Sequence, residues 1–211
     1  MIAVSLFTLL LLAAPLNAAA ASLEVQVIGP DGPVEDAIVF LDEGPAADPV
    51  RGEISQQRRQ FDPGQLVIPT GSAVEFPNRD TTQHHVYSFS PAKTFELELY
   101  MGQPEAPVIF DQPGIVELGC NIHDRMQAFV LVLDHSAHAR TDAVGTATLA
   151  LPDGASEPVT LNVWHARLPD ATQARTFSVA PGEPARITLE LTPEPTADSS
   201  LDRLQQRFRE L

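Results

Sequence analysis

Proline decides the fold class before any motif is considered. Each of the nineteen prolines in this 211-residue chain lacks a backbone donor and crowds a preceding helical turn. Together with twelve glycines they cut the sequence into short apolar runs separated by turn-forming residues. Such runs are strand-sized, and helical periodicity is missing until the C-terminal residues. The expected class is therefore all-β. Leu23-Glu24-Val25-Gln26-Val27 alternates strictly, as a half-buried strand does. Pro30-Asp31-Gly32-Pro33 supplies turn chemistry, and Ala37 to Leu41 is a second, more buried strand, so the two read as a hairpin. Glu43 to Val50, containing Pro and Ala, reads as a linker. Ile54 to Asp80 reads as two strands around Pro69-Thr70-Gly71, and Thr94 to Tyr100 places Phe95, Leu97 and Leu99 on one face opposite Glu96 and Glu98. Further strands are expected at Pro107 to Phe110, Gln127 to Leu133, Gly145 to Leu151, Val159 to His165, Thr176 to Val179 and Ala185 to Leu191.

Both ends of the chain differ from this pattern. Residues 1–21 are apolar and close on Ala18-Ala19-Ala20-Ala21, which offers small-x-small cleavage sites. They read as a secretory signal peptide and are short for a spanning helix. A periplasmic or otherwise exported protein is expected. At the other end, residues 193–211 read as a stiff Pro193–Pro195 connection followed by a short helix, with Leu201, Leu204, Phe208 and Leu211 on one face. Acidic residues outnumber Lys and Arg 28 to 13, leaving a formal charge of −15. Phosphate backbones need cations to neutralise them, so this balance argues against nucleic acid and for a basic protein partner.

One cysteine in an exported chain has no internal partner for a disulfide, and such a thiol calls for a special role. Its setting supplies one. Gly119-Cys120-Asn121-Ile122-His123-Asp124-Arg125-Met126 places the sole cysteine, one of six histidines and one of three methionines in a single loop. Thiolate, imidazole and thioether are soft-metal ligands, and two His, one Cys and a weak axial Met make up a blue-copper set. One more histidine is needed, and His84 and His85 offer it. Adjacent side chains on a strand point to opposite faces, so at most one of them can face a metal there. A thiol enzyme using Cys120 with His123 as base would leave Met126 and the upstream histidines unexplained, and no oxyanion-hole motif or small-molecule substrate site is visible. The protein is therefore read as no enzyme.

On these motifs, and on the approach Gly114-Ile115-Val116-Glu117-Leu118-Gly119-Cys120, residues 51–134 resemble a cupredoxin. The Cys-x2-His-x2-Met spacing is similar to the short ligand loop of amicyanin, within the amicyanin/plastocyanin-like blue copper proteins. The chain, with His84-His85-Val86-Tyr87-Ser88-Phe89-Ser90 and Cys120 to Met126, is also similar to proteins labelled methylamine utilization protein, a label that implies electron transfer by association. The resemblance implies a Greek-key β-sandwich and one mononuclear type 1 copper centre, with His84, Cys120 and His123 as equatorial ligands and Met126 as the axial one. His84 is preferred to His85, because cupredoxins tend to carry an Asn directly after the first ligand and His85 occupies that place. Asn78 and His85 are the residues that could hydrogen-bond behind the ligands. Electron transfer with a basic cytochrome or dehydrogenase is implied, as is a copper-binding carrier or accessory protein without redox partners. The opening strands and Thr141 through Leu191 resemble a small transthyretin-like or carboxypeptidase-regulatory-like β-sandwich. This divides the chain into 1–21, a discontinuous sandwich of 22–48 with 138–192, the cupredoxin domain 51–134, and 193–211. The alternative is that the opening hairpin extends the cupredoxin sheet.

Overall fold

The computed structural model describes residues 22–123, 125–152 and 154–193. The signal peptide read at 1–21 and the helix read at 198–211 lie outside the described residues. Among the described residues every regular element is a strand, so the molecule is all-β. Three strands open it: β1 (Ser22–Gly29), β2 (Gly32–Pro33) and β3 (Ile38–Leu41). Ten follow: β4 (Arg51–Glu53), β5 (Ser55–Gln57), β6 (Gln60–Asp62), β7 (Gln65–Pro69), β8 (Ser72–Glu75), β9 (His84–Ser90), β10 (Lys93–Tyr100), β11 (Val108–Phe110), β12 (Gly114–Cys120) and β13 (Gln127–Leu133). The last five are β14 (His138–Arg140), β15 (Thr146–Ala150), β16 (Val159–Trp164), β17 (Arg175–Val179) and β18 (Ala185–Thr188).

Strand pairing sorts these elements into two sandwiches. The middle of the chain forms a sheet β10-β9-β12-β13-β7 and a smaller one β11-β8-β4, with the β5-β6 hairpin beside them. Val86, Val116, Leu118, Ala128, Val130 and Val132 from the larger sheet meet Val74 and Phe110 from the smaller in one buried cluster. The flanking segments form β15-β1-β18, with β2 on β1, and β14-β3-β16-β17. Val25 and Val27 of β1 share their core with Leu161 and Val163 of β16, although more than a hundred residues separate the two strands in sequence.

Strand β13 belongs to both cores. Ala128, Val130 and Val132 face the central sandwich, while Phe129 and Leu131 pack into the flanking one. Phe129 meets Trp164 edge-on at a centroid distance of 5.1 Å. A strand covered on both faces needs a continuous apolar run rather than an alternating one, and Ala128-Phe129-Val130-Leu131-Val132-Leu133 is such a run.

Two expectations are corrected. Residues 23–27 and 37–41 do not form a hairpin, because β1 turns back only onto the two residues of β2. The Val34 N–H still reaches the Val27 carbonyl at 3.0 Å, but the Val27 N–H is taken by the Gly145 carbonyl at 2.8 Å, and Asp36 at φ 61° turns the chain away. β3 then joins the opposite sheet between β14 and β16. Thr141 pins the crossing: its hydroxyl accepts from the Ala37 N–H at 2.8 Å and donates to the Val34 carbonyl at 2.7 Å. The second correction concerns Leu99, which does not share a buried face with Phe95 and Leu97. The register of β10 on β9 shifts between Leu97 and Tyr100. An inserted residue of this kind rotates the alternation, leaving Leu99 52% exposed and Tyr100 packed against the core in its place.

Candidate metal centre

Alternation along β9 points His84, Val86 and Ser88 inward and turns His85, Tyr87 and Phe89 outward. Cys120, the last residue of β12, stands opposite Val86, so its thiol and the His84 ring emerge on the same face. Gly119 before it lets the Tyr87 ring lie close over the backbone, since a Cβ there would come within 2.8 Å of the end of that ring and push it aside. Beyond Cys120 the chain turns twice, with the His123 N–H donating to the Cys120 carbonyl at 3.4 Å and the Met126 N–H to the His123 carbonyl at 3.0 Å. These turns bring His123 back over the thiol.

The result is a compact donor set. Cys120 Sγ lies 3.7 Å from His84 Nδ1 and 3.8 Å from His123 Nδ1, and one donor atom from each of the three residues lies within 4.8 Å of the others. The two imidazole rings sit 5.1 Å apart between centroids. An imidazole nitrogen at about 2.1 Å and a thiolate at about 2.3 Å from one ion, set at a trigonal angle, stand roughly 3.8 Å apart. The residues therefore fit a metal held in a His-Cys-His plane. His84 is fully buried, Cys120 and Met126 nearly so, and His123 is half-buried. Met126 lies in the same apolar cluster as Cys120.

Behind the plane, Asp80 Oδ2 lies 2.9 Å from His84 Nε2. An ionised carboxylate only accepts, so Nε2 carries the ring proton and Nδ1 presents its lone pair towards the thiol. Burial pushes the Asp80 carboxyl upward, but the N–H of Arg59, the His84 ring and the N–H of Arg58 outweigh it and hold the group below the usual carboxylate range. The Tyr100 hydroxyl, 2.6 Å from the Phe76 carbonyl and 2.9 Å from Gln56 Oε1, closes the floor. Burial above all, with a smaller contribution from the nearby Cys120, pushes it up to about 12 against the pull of Gln56.

No family model and no curated protein matches the sequence. Several solved structures are similar over part of it. They include the Cu-containing nitrite reductase from Thermus scotoductus SA-01, at 22% identity over 43% of this chain and TM-score 0.38, where the chain spans 24% of that enzyme's length. A purple cupredoxin from Nitrosopumilus maritimus shows 20% identity over 38% of this chain and 98% of its own, with TM-score 0.34. Amicyanin from Paracoccus versutus shows 16% identity over 47% of this chain and 99% of its own, with TM-score 0.33.

The remaining residues singled out from sequence have distinct surroundings. His85 points away from the donor set and lies beside Tyr87, with ring centroids 5.8 Å apart. Its Nε2 is 2.8 Å from Glu96 Oε1, yet the approach lacks hydrogen-bond geometry. Asn78 is fully engaged nearer home. Its Nδ2 donates to the carbonyls of Thr82 at 2.8 Å and Tyr100 at 2.9 Å, and its Oδ1 accepts from the Asp80 N–H at 2.9 Å. These bonds shape the loop that delivers Asp80 and His84 and do not reach the Cys120–Met126 loop. Asp80 itself was not legible as a functional residue, the only hint being a carboxylate four positions before a candidate ligand.

Proposed function

We propose that this protein is a blue copper electron carrier of the cupredoxin kind, exported from the cytoplasm and holding one mononuclear type 1 centre. The observation that carries the reading is the Cys120 thiol, itself part of the apolar core cluster, set at 3.7 and 3.8 Å from the Nδ1 atoms of two histidines. His84, Cys120 and His123 would hold the ion, with Met126 as the weak fourth ligand. Copper, when bound, would supply a one-electron couple, and thiolate, imidazole and thioether donors together suit both of its oxidation states. Here the β9 and β12 ladders fix two donors on one sheet face, and the surrounding core keeps water from the buried ones. His123 alone reaches towards the surface, beside Ile122, which is 47% exposed. The ring edge of His123 is thus the point where an electron would pass. A basic cytochrome or dehydrogenase suits the formal charge of −15.

The test is the visible and EPR spectrum of the mature protein after addition of Cu(II). An intense thiolate-to-copper band is expected. Cys120→Ser should abolish it, and Met126→Leu should keep it with an altered potential. Retention of the full band in Cys120→Ser would refute the assignment.

A further inference from the structure

Asp80 faces two ways. Its carboxylate contacts the buried His84 ring at 2.9 Å on one side. On the other it accepts the backbone N–H of Arg58 at 2.6 Å through Oδ1 and that of Arg59 at 2.8 Å through Oδ2. Those arginines form the turn of the β5–β6 hairpin, where Gln57 pairs with Gln60. Both have left-handed backbone, at φ 56° and 59°, in a turn that ordinarily calls for Asn and Gly. Successive N–H groups in such a turn converge on an anion, and here the anion is Asp80. The bond from its own N–H to Asn78 Oδ1 at 2.9 Å fixes the carboxylate from behind. The side chain is 16% exposed and the ring it touches 0%. A carboxylate gripped by backbone donors cannot swing away from the imidazole as one held by mobile side chains would.

We propose that Asp80 is a positioning residue that sets the electronic character of the metal centre through His84. It holds His84 as the Nε2-protonated tautomer, which leaves Nδ1 free for the ion, and its fixed negative charge makes that nitrogen the stronger donor. A neutral carbonyl would select the same tautomer without adding charge. The charge favours Cu(II), the more highly charged state, and therefore lowers the reduction potential. This inference rests on the copper reading above and extends it to a residue that does not touch the metal.

The experiment is Asp80→Asn in the full chain, loaded with copper or with zinc. Cu(II) affinity should fall about 10- to 100-fold and Cu(I) affinity less. Each tenfold difference between the two raises the potential of a one-electron couple by about 59 mV. Zn(II) affinity should fall in parallel, a readout free of redox chemistry. Because Asp80 also anchors the hairpin turn, the substitution is repeated in an Arg58→Gly/Arg59→Gly background, where glycine supplies the turn conformation unaided. If Asp80→Asn in that background has the potential and zinc affinity of the glycine variant alone, Asp80 is a turn anchor only and the proposal is overturned. A blue native protein with an unmoved potential in Asp80→Asn overturns this proposal while sparing the copper reading. A native protein that takes up no copper overturns both.

Discussion

Asn162 and His84 are both buried polar side chains on interior strands of their sandwiches, and they are satisfied in different ways. Asn162 donates to Asp42, just past the end of β3, at 2.6 Å and accepts from the Thr176 hydroxyl of β17 at 2.9 Å, so each end of its amide is spent on a neighbour. Thr141 likewise gives and takes one backbone bond. In the flanking sandwich, buried polarity serves the fold. In the central sandwich, the outer nitrogen of His84 is tied to Asp80, while its inner nitrogen, the Cys120 sulfur and His123 Nδ1 face one another. Burial of polar atoms alone does not mark a site. What marks this one is that its buried donors converge on a common point and share a taste for the same soft ion.

The largest effect is expected where the two sandwiches touch. Trp164 is fully buried, donates its indole N–H to the Ala171 carbonyl at 2.7 Å and meets Phe129 from the central sandwich. Trp164→Ala should cost about 3–5 kcal/mol, measured by urea denaturation of the copper-loaded protein. The copper band and the far-ultraviolet signal should be lost at one midpoint. Two separate midpoints would show that the halves unfold independently.

A smaller effect tests the floor of the candidate centre. Tyr100→Phe leaves Gln56 Oε1 without its donor and should cost about 1–3 kcal/mol, while the blue band survives. The native phenol is pushed up to about 12 from an ordinary 10.0. Between those values the unfolded chain releases its proton and the native protein retains it. Stability contributed by the raised value is thus complete below about pH 10 and is lost as the pH climbs through about 12. Thermal melts across that window should fall more steeply for the native protein than for Tyr100→Phe, and parallel curves would remove Tyr100 as the cause.

The smallest effect concerns where a partner docks. Electron transfer with a basic cytochrome should slow as ionic strength rises. Arg125→Ala, beside the half-buried His123, should speed association by a few-fold, since a nearby like charge is removed. Arg186→Ala on β18 of the flanking sandwich makes the same change in net charge and should do less. Equal acceleration by the two variants in stopped-flow measurements would mean that overall charge, rather than the His123 surface, steers the encounter.

Most strand positions, and the residues that come together around Cys120, were legible in the sequence for simple reasons, although 54–80, read as two strands, holds β5 to β8. Alternation and proline mark a strand wherever one face is wet, and the run Gln127 to Leu133 has the same limits in sequence and structure. Cysteine, histidine and methionine are scarce enough here that their clustering is informative. What stayed hidden depends on distant or conformational partners. The crossing from β1 to β3 is fixed by Thr141, over a hundred residues away. The outward turn of Leu99 comes from a slip in pairing, which period-two reading cannot register. Asp80 is one of 28 acidic residues, and its importance comes from two left-handed arginines whose identity argues against such a turn.

Strand β13 behaves as a party wall. Its odd residues are furnished by one sandwich and its even residues by the other, so neither can be taken down without stripping plaster from its neighbour. The stretch 51–134 cut out by itself would carry Phe129 and Leu131 into water and should be sticky. The wall also transmits load: any ion that binds the folded form and not the unfolded one stabilises the whole cooperative unit, so an atom settling at Cys120 would help keep Ile187, in the core of the other sandwich, in its place.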